Sequence, residues 1–267
     1  MTVPEIVVED VSVRTGGGET LDELAVAAAR AFAGEDIGAV VAATFSNPRR
    51  FPALAVRIAS ELGLPAETPA LDLQMACSAY PYALYLASKL VRDTGKKTLV
   101  VDGDVQSRLV DATDHATGGI FSDAVTASLV TTGEGTSPVA FYSRHDESLV
   151  CGETGPIRMD GFKVFSFVAT EVSKFLRAFG TDFDFFAPHQ ANPYMVRQLA
   201  KTLGLEEKLL VLDEGAKNPG SCSVPMTLHA HADRLKGGKR VLVAGFGAGL
   251  SASACVIRFG RAISVFE

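Results

Sequence analysis

A strand and helix pattern is written twice in this chain, at nearly matching spacing. Ala39-Val40-Val41-Ala42-Ala43-Thr44 is a short apolar run ending in a small polar residue, as a buried parallel strand would. Residues 51–62 follow with apolar positions at Leu54, Val56, Ile58 and Leu62, and Gly63 supplies a helix stop. Then come the strand Ala70-Leu71-Asp72-Leu73, a helix from about Cys77 to Arg92, and the strand Thr98-Leu99-Val100-Val101. The same order returns with Phe185-Phe186-Ala187-Pro188 as a strand and 194–203 as a helix closing at Gly204. A strand over 209–213, a helix over 221–235 and a strand over 240–243 complete the second copy. Leu62-Gly63-Leu64 matches Leu203-Gly204-Leu205, and Leu71-Asp72 matches Leu212-Asp213. In this register Cys77 falls opposite Asn218.

A repeat this long is not a solenoid unit. It predicts two similar α/β halves packed face to face, 1–150 and 151–267, each with a mostly parallel sheet. Simple α/β alternation without duplication is the plainer alternative. Near the start, Thr15-Gly16-Gly17-Gly18-Glu19 reads as a loop, and Thr20 with Glu23 makes a capping box for a helix over 21–32.

Several function classes are disfavoured. The net charge is −6, and the 25 Lys and Arg form no basic run, so nucleic acid is not an expected partner. The first residues lack the basic-then-apolar layout of a secretion signal. The longest uncharged apolar run, 241–257, is shorter than the ~20 residues of a membrane helix and is broken by glycines and serines. No membrane association is expected. Four cysteines, Cys77, Cys151, Cys222 and Cys255, form no CxxC pair, which favours reduced thiols and a cytoplasmic setting. No metal spacing is present; His229 and His231, two apart on a helix, face different directions.

Three residues carry candidate chemistry. Cys77 sits where a strand ends and a helix begins, so the positive end of the helix dipole is expected to lower its pKa. Ala76, Ser78 and Ala79 leave room beside it. The plainer reading is a small buried hydrophobe, which is also how Cys222 and Cys255 read; Cys151 lies in a loop. His189 follows a strand end, where parallel α/β sheets present ligands, and could donate a hydrogen bond or move a proton near neutral pH. Taken alone it could equally be a capping or surface histidine. Asn218, in Lys217-Asn218-Pro219-Gly220, could donate to a developing oxyanion, or simply occupy a turn.

Taken together, these segments resemble the β-ketoacyl-ACP synthase III family of thiolase-fold condensing enzymes. Ala76-Cys77-Ser78 is similar to that family's nucleophile turn, and Pro188-His189-Gln190-Ala191-Asn192 to its histidine motif. Residues 217–223 resemble its Gly-Asn-Thr-Ser stretch, and Gly245-Phe246-Gly247-Ala248-Gly249-Leu250-Ser251 its C-terminal glycine loop. The likeness runs from about Thr20 to Phe259. It implies a five-layered αβαβα sandwich in which Cys77 is acylated by a thioester. His189 and Asn218 then hold a malonyl-type thioester for decarboxylative condensation, and the N–H groups of Cys77 and Ala248 form the oxyanion hole. It further implies substrate contacts at Phe51, Phe121, Ile157, Gly247 and Gly249, with ordinary core packing the plainer reading for the three apolar residues. Phe51 would reach into a partner's acyl pocket in a homodimer, and Lys201 would serve an acyl carrier protein. The substrates are acyl-CoA or acyl-carrier thioesters, with no cofactor or metal. A dinucleotide reading of the glycine loop fails because 251–259 is strand-like rather than helical.

The chain departs from the family in places. The family's first strand and helix have no counterpart, there is no tryptophan to stack on coenzyme A, and His115 and Tyr194 stand where the family often has arginines. The Phe-Gly-Asp-Gly stretch is Phe121-Ser122-Asp123-Ala124. These changes point to a carrier-protein thioester or an unusual acyl group as donor. Rival readings are a papain-like hydrolase, an acyltransferase that works without decarboxylation, and a non-catalytic partner subunit of a condensing enzyme.

Overall fold

The computed structural model describes residues 1–114, 117–152, 155–213 and 216–260; His115, a suggested coenzyme position, lies outside the described residues. The elements in order are β1 (Thr2–Thr15), α1 (Leu21–Ala29), β2 (Ile37–Ala43), α2 (Leu54–Glu61), β3 (Ala70–Leu73), α3 (Ala79–Thr94), β4 (Lys97–Asp104) and β5 (Ala124–Asp146). A small hairpin follows, β6 (Leu149–Val150) with β7 (Arg158–Met159), then α4 (Gly161–Phe167) and α5 (Ser173–Arg177), joined by the π-helical turn Val168–Val172. The chain continues with β8 (Phe185–Pro188), α6 (Pro193–Leu203), α7 (Ser223–Ala230), α8 (Ala232–Leu235), β9 (Arg240–Gly247) and β10 (Gly249–Phe259).

Period-two alternation along the strands sets the layering. On β4, Leu99 and Val101 face a core shared with Leu24 of α1 and Ile58 of α2. Val100, between them, faces the middle of the molecule, where it joins Leu84 of α3 and Leu228 of α7. On β9, Val241 and Val243 reach the same middle core, while Leu242, Ala244 and Phe246 turn outward to Phe167 of α4 and Leu199 of α6. Helices therefore lie outside, between and outside two sheets, giving the expected five layers. A helix sandwiched between sheets needs apolar residues on opposite sides. Accordingly α3 buries Tyr80, Ala83, Leu84, Ala87 and Val91, its small alanines permitting close approach.

The sheets are mixed rather than mostly parallel, and hydrogen bonds run through both in the order β3-β2-β4-β5-β1-β10-β9-β8. The long β1 and β5, which local periodicity did not flag, produce this continuity. The first part of β5 pairs antiparallel with β4 and its last part with β10, while β1 lies antiparallel to β5 and parallel to β10. The expected strand over 209–213 is reduced to a bridge between Leu209 and Phe186, because Leu212 N–H turns to the side chain of Gln190. The expected helix over 221–235 is broken at His231 into α7 and α8. At the other copy, Asp72 of β3 caps α2 by accepting from Leu54 N (2.8 Å) and Ala55 N (2.9 Å), so the helix starts three residues later than its apolar pattern predicts. Among the described residues no helix is long and apolar enough to cross a membrane.

Leu84 is fully buried in the middle layer. Leu84→Ala leaves a cavity between two sheets and is expected to lower the unfolding free energy by about 2–5 kcal/mol; a urea titration that leaves the midpoint unmoved contradicts this packing.

Candidate active site

The chain leaves β3, turns through a single 3₁₀ turn at Ala76–Ser78 and only then enters α3. Ala76 adopts φ 43°, a left-handed conformation that is unfavourable for a residue with a Cβ and must be held by its surroundings. The clamp comes from the far end of the sequence. Ser78 Oγ lies 2.7 Å from Ser251 Oγ, and Ser253 Oγ donates to the Ser78 carbonyl at 2.6 Å. On β9, a Cβ at Gly245 would sit 2.7 Å from the Cys77 carbonyl oxygen, and one at Gly247 would sit 3.2 Å from the Cys77 sulfur. Gly245 is required because backbone approaches backbone, and Gly247 because its φ of 152° and the nearby Cys77 side chain both disfavour a Cβ.

Cys77 is nearly buried, and burial pushes its thiol up to about 12, with the charge of Asp104 adding to the effect. This reverses the sequence expectation of a lowered pKa. The thiol sits before α3 rather than in its first turn, so desolvation outweighs the dipole. The backbone N–H groups of Ala248 and Cys77 oppose the shift by stabilising the thiolate. These are the two amides expected to form the oxyanion hole, and both act on the sulfur.

His189 follows β8. Its backbone N–H donates to Ala244 O on β9 at 2.7 Å, and its ring meets Phe246 edge-on at 5.5 Å. Its Nδ1 lies 2.8 Å from Ser223 Oγ, which also accepts from Gln190 N at 3.1 Å. Burial brings the imidazole down to about 4, against a smaller upward pull from the Gly220 carbonyl, so the ring is neutral at pH 7. Asn218 is fastened on three sides. Its N–H donates to Ile120 O (2.9 Å), its carbonyl accepts from Ser122 N (3.0 Å) and Gln106 Nε2 (3.2 Å), and its Oδ1 accepts from Gly220 N (2.8 Å). With Oδ1 occupied, the end of the side chain left for a ligand is the Nδ2 donor.

These groups meet at one junction. The Cys77 turn packs against both β9 and the 3₁₀ turn Gly220–Cys222 that follows Asn218. Gly220 touches the His189 ring electrostatically, and His189 hangs from β9. A cavity of about 920 Å³ opens beside Cys77, lined among others by Phe45, Gln106, Phe121, Leu149, Ile157, Ala248 and Gly249. His189 and Asn218 are buried and are not among the residues that line it; Asn218 adjoins its wall through Phe121 and Gln106. Phe121, bridged to Asn218, and Ile157 are walls of the cavity, and the glycine loop reaches it through Ala248 and Gly249, whereas Gly247 lies against the Cys77 side chain and does not line it. Phe51 is 84 % exposed and Lys201 is exposed on α6, both outside the cavity. Tyr194 is exposed and stacks on Phe165 at 6.1 Å.

Beneath the turns lie residues that motif reading passed over. Asp104 Oδ1 accepts from Thr44 Oγ1 (2.7 Å), Phe45 N (2.9 Å) and Ser46 N (3.0 Å), fixing the loop that lines the cavity. Asp102 accepts from Ser221 Oγ. Both acids are buried, each keeps Oδ2 without a partner, and burial raises both carboxyls above their ordinary range. Among the described residues no group of three or more His, Cys, Asp and Glu side chains gathers for a metal.

A neutral, buried Cys77 should resist alkylation. We expect iodoacetamide to modify the exposed Cys151 first at pH 7, and Cys77 only as the pH is raised; peptide mass spectrometry showing Cys77 labelled faster at pH 7 contradicts this electrostatic picture.

Comparison with known proteins bears on the same residues. Residues 71–146 match the family model described as 3-oxoacyl-[acyl-carrier-protein (ACP)] synthase III, and 180–259 match its C-terminal model. The β-ketoacyl-[acyl-carrier-protein] synthase III of Thiobacillus denitrificans is 31% identical, over 91% of this chain and 85% of that protein. The Brucella suis enzyme of the same name is 33% identical over 91% and 86%. A 3-oxoacyl-(acyl-carrier protein) synthase from Burkholderia xenovorans shares the fold with TM-score 0.88 at 23% identity, covering 97% of this chain and 95% of that one. The priming β-ketosynthase of the R1128 polyketide pathway superposes with TM-score 0.86 at 26% identity, covering 97% of each chain. With the nucleophile turn, the histidine strand and the glycine loop matched in order, the chain belongs to the β-ketoacyl-[acyl-carrier-protein] synthase III family of thiolase-fold condensing enzymes.

Proposed function

We propose that Cys77 accepts an acyl group from a thioester and that His189 and Asn218 then direct a decarboxylative condensation onto it. The observation that carries this reading is the convergence of two backbone N–H groups, from Cys77 and Ala248, on a buried sulfur at the wall of a cavity. In the first step the sulfur attacks the thioester carbonyl and loses its proton, the two amides hold the oxyanion, and the carrier thiol leaves protonated. In the second, His189 and the Nδ2 of Asn218 donate to the carbonyl oxygen of a malonyl-type thioester. Its carbon–carboxylate bond breaks, carbon dioxide leaves, and the enolate carbon attacks the acyl-cysteine. The Cys77 sulfur departs and regains a proton, and a 3-oxoacyl thioester is released.

A neutral imidazole suits this role, since it can donate to a developing enolate without surrendering charge to a dry site. Ser223 supports it: having accepted from Gln190 N, its hydroxyl has a hydrogen to offer Nδ1, which leaves Nε2 as the donor nitrogen. The segment 1–150 brings the nucleophile, and 151–267 the histidine, the asparagine and the glycine loop. The exposed Phe51, beside Pro52 in the loop before α2, supports a homodimer in which it enters a partner's acyl cavity, and Lys201 on α6 supports docking of an acidic carrier. The four unpaired cysteines accord with a reducing, cytoplasmic setting. No cofactor takes part.

Intact-mass measurement after mixing with acyl thioesters tests the assignment. An adduct should form on wild-type protein and not on Cys77→Ala. His189→Ala and Asn218→Ala should keep the adduct but slow its extension by malonyl carrier protein about 100-fold or more. An adduct on Cys77→Ala, or unchanged extension in both variants, removes the proposal.

With tryptophan absent and Tyr194 where the family often has an arginine, we expect the donor to arrive on a carrier protein. In competition, acyl carrier protein should label Cys77 faster than the matching acyl-CoA; equal rates refute the preference.

A further inference from the structure

Gln106 puts a committed polar group into the wall of the Cys77 cavity. It follows β4, is 1 % exposed and borders the cavity beside Phe121. The orientation of its amide is forced. Nε2 lies 3.0 Å from the Ser122 carbonyl oxygen and 3.2 Å from that of Asn218, two acceptors that only an NH₂ group can serve. Both hydrogens are therefore spent on tying residues 122 and 218 together. What remains is the carbonyl end, Oε1, which can only accept.

Among the described residues no N–H or O–H group bonds to Oε1. It is also not sealed in protein, since the buried side-chain atoms without partners there are Oδ2 of Asp102 and of Asp104. Oε1 accordingly opens to the cavity that Gln106 lines together with Phe121, Leu149 and Ile157. A saturated acyl chain entering there would strip water from this oxygen and return nothing. A chain that carries a donor would satisfy it, and sites that hydrogen-bond a substrate group discriminate strongly against analogues lacking it.

Resting on the assignment of Cys77 as the acyl-carrying residue, we infer that this cavity selects acyl groups bearing a hydrogen-bond donor, a hydroxyl or an amide N–H, which Gln106 Oε1 recognises. The inference concerns the acyl group transferred to Cys77, not the malonyl-type extender.

The test uses the full-length protein and matched thioesters of the same chain length: unsubstituted, hydroxylated at successive carbons, and carrying an internal amide. The rate of Cys77 acylation is followed by intact mass. At least one donor-bearing chain should acylate Cys77 with a kcat/KM about tenfold or more above its unsubstituted counterpart, and the hydroxyl and amide arms show which donor is used. In Gln106→Leu this ratio should collapse towards unity or invert; because it is a ratio within one protein, a general loss of activity cancels. Should that variant fail to fold, the wild-type panel decides alone. Unsubstituted chains that are preferred at every length, or a ratio unchanged in Gln106→Leu, overturn the inference while leaving acylation of Cys77 standing. Absence of any adduct overturns the Cys77 assignment itself, and this inference with it.

Discussion

Contact between two stretches of bare backbone governs the organisation of this protein. The backbone of the Cys77–Ser78 turn lies against β9 so closely that Gly245 has no space for a side chain, while the Cys77 side chain crowds Gly247. The serines of β10 then pin the same turn through Ser78. That contact holds Ala76 in its left-handed conformation, brings Ala248 N–H to the sulfur and closes the joint between the two sheets. A turn clamped from the other end of the chain does not relax when the local segment fluctuates, which is what a reactive group in a strained loop needs.

Burial then sets the electrostatics. Cys77, His189, Asp102 and Asp104 lie almost without water, and each is driven towards its uncharged form: thiol and carboxyls up, imidazole down. The junction is thus not a thiolate–imidazolium pair at rest. In the proposed reaction charge would appear there only on oxygens facing N–H donors, which a low-dielectric surrounding makes more effective than water would. The two buried acids also have a mechanical part: they accept from Thr44, Phe45 and Ser46 and from Ser221, fastening two loops near Cys77.

The candidate site was legible because its residues sit in short contiguous motifs at strand ends, where local pattern and chemistry coincide. Local pattern marked Cys77, His189 and Asn218 as candidates, Ala248 came in through the family resemblance, and the turns that carry them pack together in the fold. What local reading passed over shares a different property. Ser223, Gln106, Asp102 and Asp104 matter through partners that are remote in sequence, such as Gln106 with Asn218 or Ser221 with Asp102. The strands β1 and β5 carry no uniform periodicity for a related reason: register shifts at Pro4/Ile6 and Val8/Asp10 interrupt β1, and β5 changes partner from β4 to β10 along its length. The shift of Cys77 was misjudged in direction because a sequence displays the helix that follows a thiol but not the depth at which it is buried.

Local propensity and the chemistry of single residues were enough to mark out the repeated α/β order, the glycine loop, and Cys77, His189 and Asn218 as polar candidates between elements. The protonation of Cys77 and His189 and the hydrogen-bond partners of Asn218 and Gln106 are instead set by the folded arrangement. Those depend on desolvation and on hydrogen-bond partners drawn from distant segments, which become neighbours only when the two sheets close over the helices between them.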